Sequence, residues 1–111
     1  MSDVTIREWI PAEHALVYST WIRSSGARGP RECARERALI EMLLRRGAVV
    51  RVAVWEDSAL VLGWACVEGE VCHAVYTKMV YRGSGIARML LADCTVATCR
   101  GTGLPVDEGK L

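Results

Sequence analysis

Three β-rich runs, residues 48–55, 60–67 and 71–79, follow one another with turn-forming residues between them: Glu56, Asp57 and Ser58 in the first gap, Glu68, Gly69 and Glu70 in the second. Connections this short cannot carry a crossover, so the runs must be antiparallel neighbours in one sheet. The rest of the chain has to cover that meander. Residues 4–10 are rich in β-branched side chains, place Val4 and Ile6 opposite an outward Arg7, and stop at Pro11, which predicts a first strand. Pro11 suits a first helical turn, and Leu16, Val17, Trp21 and Ile22 then recur at near-helical spacing up to about Ser24. A breaker-rich stretch, 24–30, follows.

A second helix is predicted from about Pro30 to Gly47, with Ala34, Ala38, Leu39, Met42 and Leu43 on one side and Gly47 free to adopt a left-handed cap. After the third meander run, Arg82, Gly83, Ser84 and Gly85 turn the chain into a helix that places Ile86, Leu90, Cys94 and Ala97 on one face. The predicted order is βααβββα. Beyond Arg100, with Gly101, Gly103, Pro105 and Gly109, there is room for one short final strand at 104–106. With 111 residues the chain is long enough for one core and too short for two, so residues 1–111 form a single α/β (α+β) domain.

Composition excludes several function classes. The apolar share of 51% and charged share of 24% are those of a globular protein, and no apolar run approaches the roughly 20 residues that span a bilayer. No membrane segment is expected. Asp3, Arg7 and Glu8 interrupt any secretory leader, so a cytoplasmic protein is expected. The five cysteines, Cys33, Cys66, Cys72, Cys94 and Cys99, include no CxxC pair, which points to neither a zinc site nor a disulfide framework. Net charge is +1, and although eight arginines fall between Arg23 and Arg51, Glu32, Glu36 and Glu41 are interleaved with them. That pattern reads as a solvated helix face, and nucleic acid is not the expected partner.

The turn at 82–87 carries the chemistry. Small residues between a strand and a helix let the backbone approach a ligand, and the first amides of the helix point outward with partial positive charge, so the turn can hold an anion. A tight turn with glycines placed for geometry alone gives the same residues. A Walker loop requires a Gly-Lys-Ser/Thr ending that is absent, and a Rossmann fingerprint requires a third Gly or Ala where Arg88 stands. The segment Arg82, Gly83, Ser84, Gly85, Ile86, Ala87 instead resembles the acetyl-coenzyme A motif of the GNAT acetyltransferases: Arg or Gln, any two residues, Gly, any residue, then Gly or Ala. Tyr81 before it, Met89, Leu90 and Leu91 after it, and the βααβββα order extend the resemblance over about residues 4–99. A shorter resemblance, in Tyr18-Ser19-Thr20-Trp21, Gly63-Trp64 and His73-Ala74-Val75-Tyr76, is to phage-encoded members, for which the location would be the host cytoplasm.

The resemblance implies a GNAT-like acyl-coenzyme A N-acyltransferase fold, truncated at its C-terminus, that binds acetyl-coenzyme A. The amides from Gly83 to Ala87 would hold the pyrophosphate, Arg82 would order the loop, and Tyr76, Thr77 and Lys78 would offer main-chain groups to the pantetheine arm where the fourth and fifth strands splay. The implied activity is N-acetyl transfer to a primary amine of a small molecule or protein. Transfer needs a base for the amine, and family members place a carboxylate near the start of the fourth strand, where Glu70 and then His73 stand; these are also a plain turn residue and a strand residue. Tyr18, Trp21 and Trp64 are candidates to line the acceptor pocket, or core. The family's usual acid, a tyrosine after the fifth strand, has no counterpart after Tyr81. Either a second subunit completes the acceptor side, as in a homodimer, or the chain is a GNAT-shaped binding module of phage or mobile-element type.

Overall fold

The computed structural model describes residues 3–58 and 60–97. Strand β1 (Val4–Glu8) leads through a 3-10 turn (Pro11–Glu13) into α1 (His14–Ser24), and α2 (Gly29–Arg45) returns along it. Strands β2 (Val49–Trp55), β3 (Val61–Glu68) and β4 (Val71–Thr77) form the meander, followed by a second 3-10 turn (Met79–Tyr81), α3 (Ile86–Leu90) and β5 (Val96–Ala97). The sheet order is β1-β2-β3-β4-β5, antiparallel through β4, with β5 parallel to β4. The expected α+β architecture and the βααβββα order are present. The strand anticipated at 104–106 lies outside the described residues.

Helices cover both faces of the sheet. On one face Val17 and Trp21 of α1 and Ile40 and Leu43 of α2 pack on Val50, Val52, Trp64, Cys66 and Ala74. On the other, Ile86 and Leu90 of α3 pack with Leu91 on Ala53, Leu62, Ala65, Val67 and Val75. β3 is therefore buried on both sides, which is why residues 61–67 are a continuous apolar run instead of an alternating one. The entry to α1 is fixed by Glu13, whose carboxylate accepts from the Arg7 guanidinium at 3.0 and 2.6 Å and from the Ile10 N–H at 3.0 Å. The Arg7 guanidinium holds the Glu13 carboxyl below its ordinary range despite its burial.

Two expectations are corrected. In α2 the buried positions are Ile40 and Leu43, with Cys33, Glu36, Leu39 and Leu44 half-buried, whereas Ala34, Ala38 and Met42 face solvent. The helix is turned toward its larger side chains, because alanine contributes little apolar area to a sheet contact. The final helix is also shorter than its apolar spacing suggests. α3 ends at Leu90, and Cys94 and Ala97 do not lie on it. Arg51 of β2 binds Asp93 at 2.6 and 2.9 Å, and the Thr95 N–H donates to the Glu70 carbonyl at 2.9 Å, drawing the chain back to the sheet where a helix would carry it away.

Candidate functional site

β4 ends at Thr77, and the next ten residues make a turn, a loop and a first helical turn at the edge of the sheet. Arg82 fastens the loop by donating its Nε–H to the Thr77 carbonyl at 3.0 Å, and the Ser84 hydroxyl donates to the Tyr81 carbonyl. Gly83 (φ +84°) and Gly85 (φ +87°) then take left-handed conformations that disfavour any side chain. The first described hydrogen bond of the helix runs from the Met89 N–H to the Gly85 carbonyl at 3.0 Å. Among the described residues no protein acceptor takes the main-chain N–H of Gly83, Ser84, Gly85, Ile86, Ala87 or Arg88. These donors front a cleft of about 460 Å³ walled by Thr77, Tyr81 and residues 82–88. Arg82 and Arg88 are both exposed there. A diphosphate fits this chemistry, since it supplies acceptors to donors the protein leaves open and negative charge beside two guanidinium groups.

Close packing holds the helix against the strand. A Cβ at Gly63 of β3 would lie 2.6 Å from the Tyr76 carbonyl oxygen, 3.2 Å from the Thr77 Cα and 3.3 Å from the Ile86 Cγ2. Glycine at this position lets the end of β4 and the start of α3 meet over β3.

The outer edge of β4 opens beside the loop. Among the described residues β5 pairs with β4 at Val71 and Cys72, and from His73 to Thr77 that edge has no described strand partner. The Lys78 N–H donates to the Leu62 carbonyl at 2.9 Å. By the alternation of an antiparallel pair, Tyr76 also turns its main-chain groups to β3, and Val75 and Thr77 turn theirs outward. Of the three residues expected to meet an extended ligand with their backbones, Thr77 is therefore placed to do so through its N–H, its carbonyl already accepting from Arg82. Tyr76 and Lys78 are not, and Val75, which was not among those three, is.

The two candidate bases separate. Glu70 is an exposed turn residue beyond the paired ends of β4 and β5, and its carbonyl anchors Thr95. The structure does not bring it to the opening, because the closed end of the strand pair lies between. His73 is the first β4 residue past the last pair with β5. It is also the extra residue of a β-bulge, since Cys66 faces Ala74 and Val67 faces Cys72. Bulges re-aim a side chain. His73 is largely buried, with its Nε2 2.8 Å from Glu68 Oε1, and Arg46 donates to both oxygens of the same carboxylate at 3.1 and 2.7 Å. Arg46 first, and His73 after it, hold the Glu68 carboxyl down at about 2. This cluster joins the end of α2 to β3 and β4, and no sequence spacing reveals it.

The aromatic candidates also divide. Trp21 and Trp64 are fully buried, their rings stacked 5.2 Å apart, and the Trp64 Nε1–H donates to Thr20 Oγ1 at 2.8 Å. They are the centre of the core and not the wall of an acceptor pocket; burial on both sides of β3 demands bulk there. Tyr18 is half-buried and lines a separate cleft of about 420 Å³ with His14, Arg37 and Glu41. The Arg37 guanidinium sits 4.9 Å over its ring, and burial pushes its phenol up. That cleft shares no lining residue with the loop cleft. Among the described residues no helix is long and apolar enough to cross a membrane.

No protein-family model and no curated protein matches the chain. Solved structures do. YncA of Salmonella typhimurium, described as a candidate acetyltransferase and solved with its cofactor acetyl-CoA, superposes with a TM-score of 0.57 at 21% identity over 82% of this chain and 60% of its own. A candidate acetyltransferase of the GNAT family from Desulfovibrio desulfuricans gives 0.54 at 25% identity, over 82% of this chain and 62% of its own. An N-acetyltransferase from Staphylococcus aureus gives 0.56 at 21% identity, over 82% and 63%. The chain thus spans about three fifths of the length of these structures. The likeness establishes the GNAT fold, and the resemblance to that superfamily read from the sequence holds at this level.

Proposed function

We propose that this chain of GNAT fold binds acetyl-coenzyme A and transfers its acetyl group to a primary amine of a small molecule or protein. The observation that carries the reading is the row of main-chain N–H groups from Gly83 to Arg88, left without a protein acceptor among the described residues and facing a cleft between two arginines. The cofactor described for YncA, acetyl-CoA, carries a diphosphate that such a row would take. In this reading Gly83 to Ala87 bind the diphosphate, Arg82 keeps the loop in shape through Thr77, and Thr77 with Val75 pair with the amide-bearing arm along the open edge of β4. When bound, the group supplies an activated acetyl thioester.

The arm would run from Thr77 toward His73, four residues of strand or about 13 Å at ~3.3 Å per residue. His73 follows the last described pair of β4 with β5, and is the candidate base. The nitrogen of the acceptor must lose a proton as its bond to the acetyl carbon forms and the carbon–sulfur bond breaks. His73 takes that proton and later returns it to solvent, and coenzyme A leaves as the thiolate and takes up a proton from solvent. The location read from the sequence, cytoplasmic, accords with this use of a soluble acetyl donor.

Calorimetric titration with acetyl-coenzyme A tests the reading. Binding in the micromolar range that Gly85→Glu abolishes supports it, and absence of binding removes it. Release of free thiol in the presence of a panel of primary amines then tests transfer. Binding without amine-dependent thiol release would leave a GNAT-shaped binding module.

A further inference from the structure

The geometry points to Glu68 as a positioning residue for the proposed transfer: clamped by Arg46, it holds His73 in the tautomer that carries hydrogen on Nε2, leaving Nδ1 as the nitrogen that accepts a proton. This rests on the acetyltransferase reading and adds to it the group that would make His73 a directed base. The Glu68 carboxylate is engaged on both oxygens. Oε2 accepts from Arg46 Nε at 3.1 Å, and Oε1 accepts from Arg46 Nη2 at 2.7 Å and faces His73 Nε2 at 2.8 Å. An ionised carboxylate can only accept hydrogen bonds, so the imidazole nitrogen facing it must carry the hydrogen. A neutral imidazole with hydrogen on Nε2 has its lone pair on Nδ1.

Three separate elements build this clamp. Arg46 is the C-cap residue of α2, Glu68 ends β3, and His73 is the bulge residue of β4. A regular ladder would pair residue 73 within the sheet; the bulge takes it out of register with β3. His73 is thus fixed by a side chain from the neighbouring strand, in the way that metal-free acid–base pairs fix a catalytic imidazole.

The imidazole 15N shifts of His73 in the free protein, measured above pH 8, read the tautomer without reference to activity. The structure requires the Nε2–H form in the wild type, and dominance of the Nδ1–H form would overturn the proposal. In Glu68→Gln, mixed tautomers are expected, together with a kcat lower by about tenfold or more and a KM for acetyl-coenzyme A within about twofold of wild type. Arg46→Lys, which keeps the positive charge, should restore neither less nor more than a partial clamp, with kcat between the two. If Glu68→Gln folds and keeps the wild-type kcat, the positioning role is overturned while the transferase reading stands. A wild-type protein that fails to bind acetyl-coenzyme A overturns the transferase reading, and the catalytic use of His73 with it.

Discussion

Replacing Gly63 by alanine tests how the loop cleft is built. The added methyl would sit 2.6 Å from the Tyr76 carbonyl oxygen and 3.2 Å from the Thr77 Cα, both backbone atoms that cannot rotate away, and 3.3 Å from the Ile86 Cγ2. Gly63 has no positive φ, so alanine is conformationally allowed and would by itself gain roughly 0.5–1 kcal/mol from the stiffer unfolded chain. Overpacking a filled site costs about 1–3 kcal/mol, so the clash wins and the net destabilisation is about 1–2 kcal/mol. For a domain of this size that lowers Tm by roughly 8 °C. Strain should fall on β4 and α3, since the contacted atoms are theirs, and affinity for acetyl-coenzyme A should drop with stability. Thermal and urea unfolding, with calorimetric titration at a temperature where the variant is folded, measure both. A Gly63→Ala protein as stable as wild type and equal in affinity would refute the close approach of strand and helix.

Other consequences can be measured independently. Ala87→Leu should weaken acetyl-coenzyme A binding at least about tenfold with stability nearly unchanged, because Ala87 borders the cleft and leucine is almost as good a helix former. Calorimetry and a melting curve decide it. Glu13→Ala should cost about 2 kcal/mol near neutral pH, because it removes the carboxylate partner of Arg7, which keeps only the Glu8 carbonyl, and leaves the Ile10 N–H unpaired. The Glu13 carboxyl lies below its ordinary 4.5 in the folded protein, so its contribution is complete above that value and is lost as pH falls through the folded one. The deficit of the variant in urea unfolding should therefore shrink in acid. Burial pushes the Cys66 thiol up to about 12, so alkylation followed by peptide mapping at pH 8 should leave Cys66 unmodified in the native protein and modified in denaturant.

The sequence made the meander legible because its turns are too short for any other connection and the glycine at 69 takes the positive φ of a tight turn. The loop at 82–87 was legible because two glycines and an arginine at fixed spacing leave few alternatives, and both glycines have the conformation that only glycine takes easily. The buried face of α2 is hard to read from sequence because Ala34 and Ala38 recur at helical spacing as well as Ile40, its most buried side chain, does. The extent of α3 was misread because its end depends on Arg51, 42 positions from Asp93. Trp21 and Trp64 look alike in sequence whether they line a pocket or fill a core, and only the two-sided covering of β3 decides. The Arg46–Glu68–His73 cluster requires a bulge and a helix end to coincide, and neither leaves a local signature.

The central claim is that the open N–H groups from Gly83 to Arg88 grip a diphosphate. Titration of acetyl-coenzyme A into 15N-labelled protein, followed amide by amide, tests it most directly. The largest shifts are expected at Gly83, Ser84, Gly85, Ile86, Ala87 and Arg88, moving downfield as those groups gain acceptors, with smaller ones at Val75 and Thr77. Saturable binding that leaves the 83–88 amides unmoved, or no binding at all, contradicts the account.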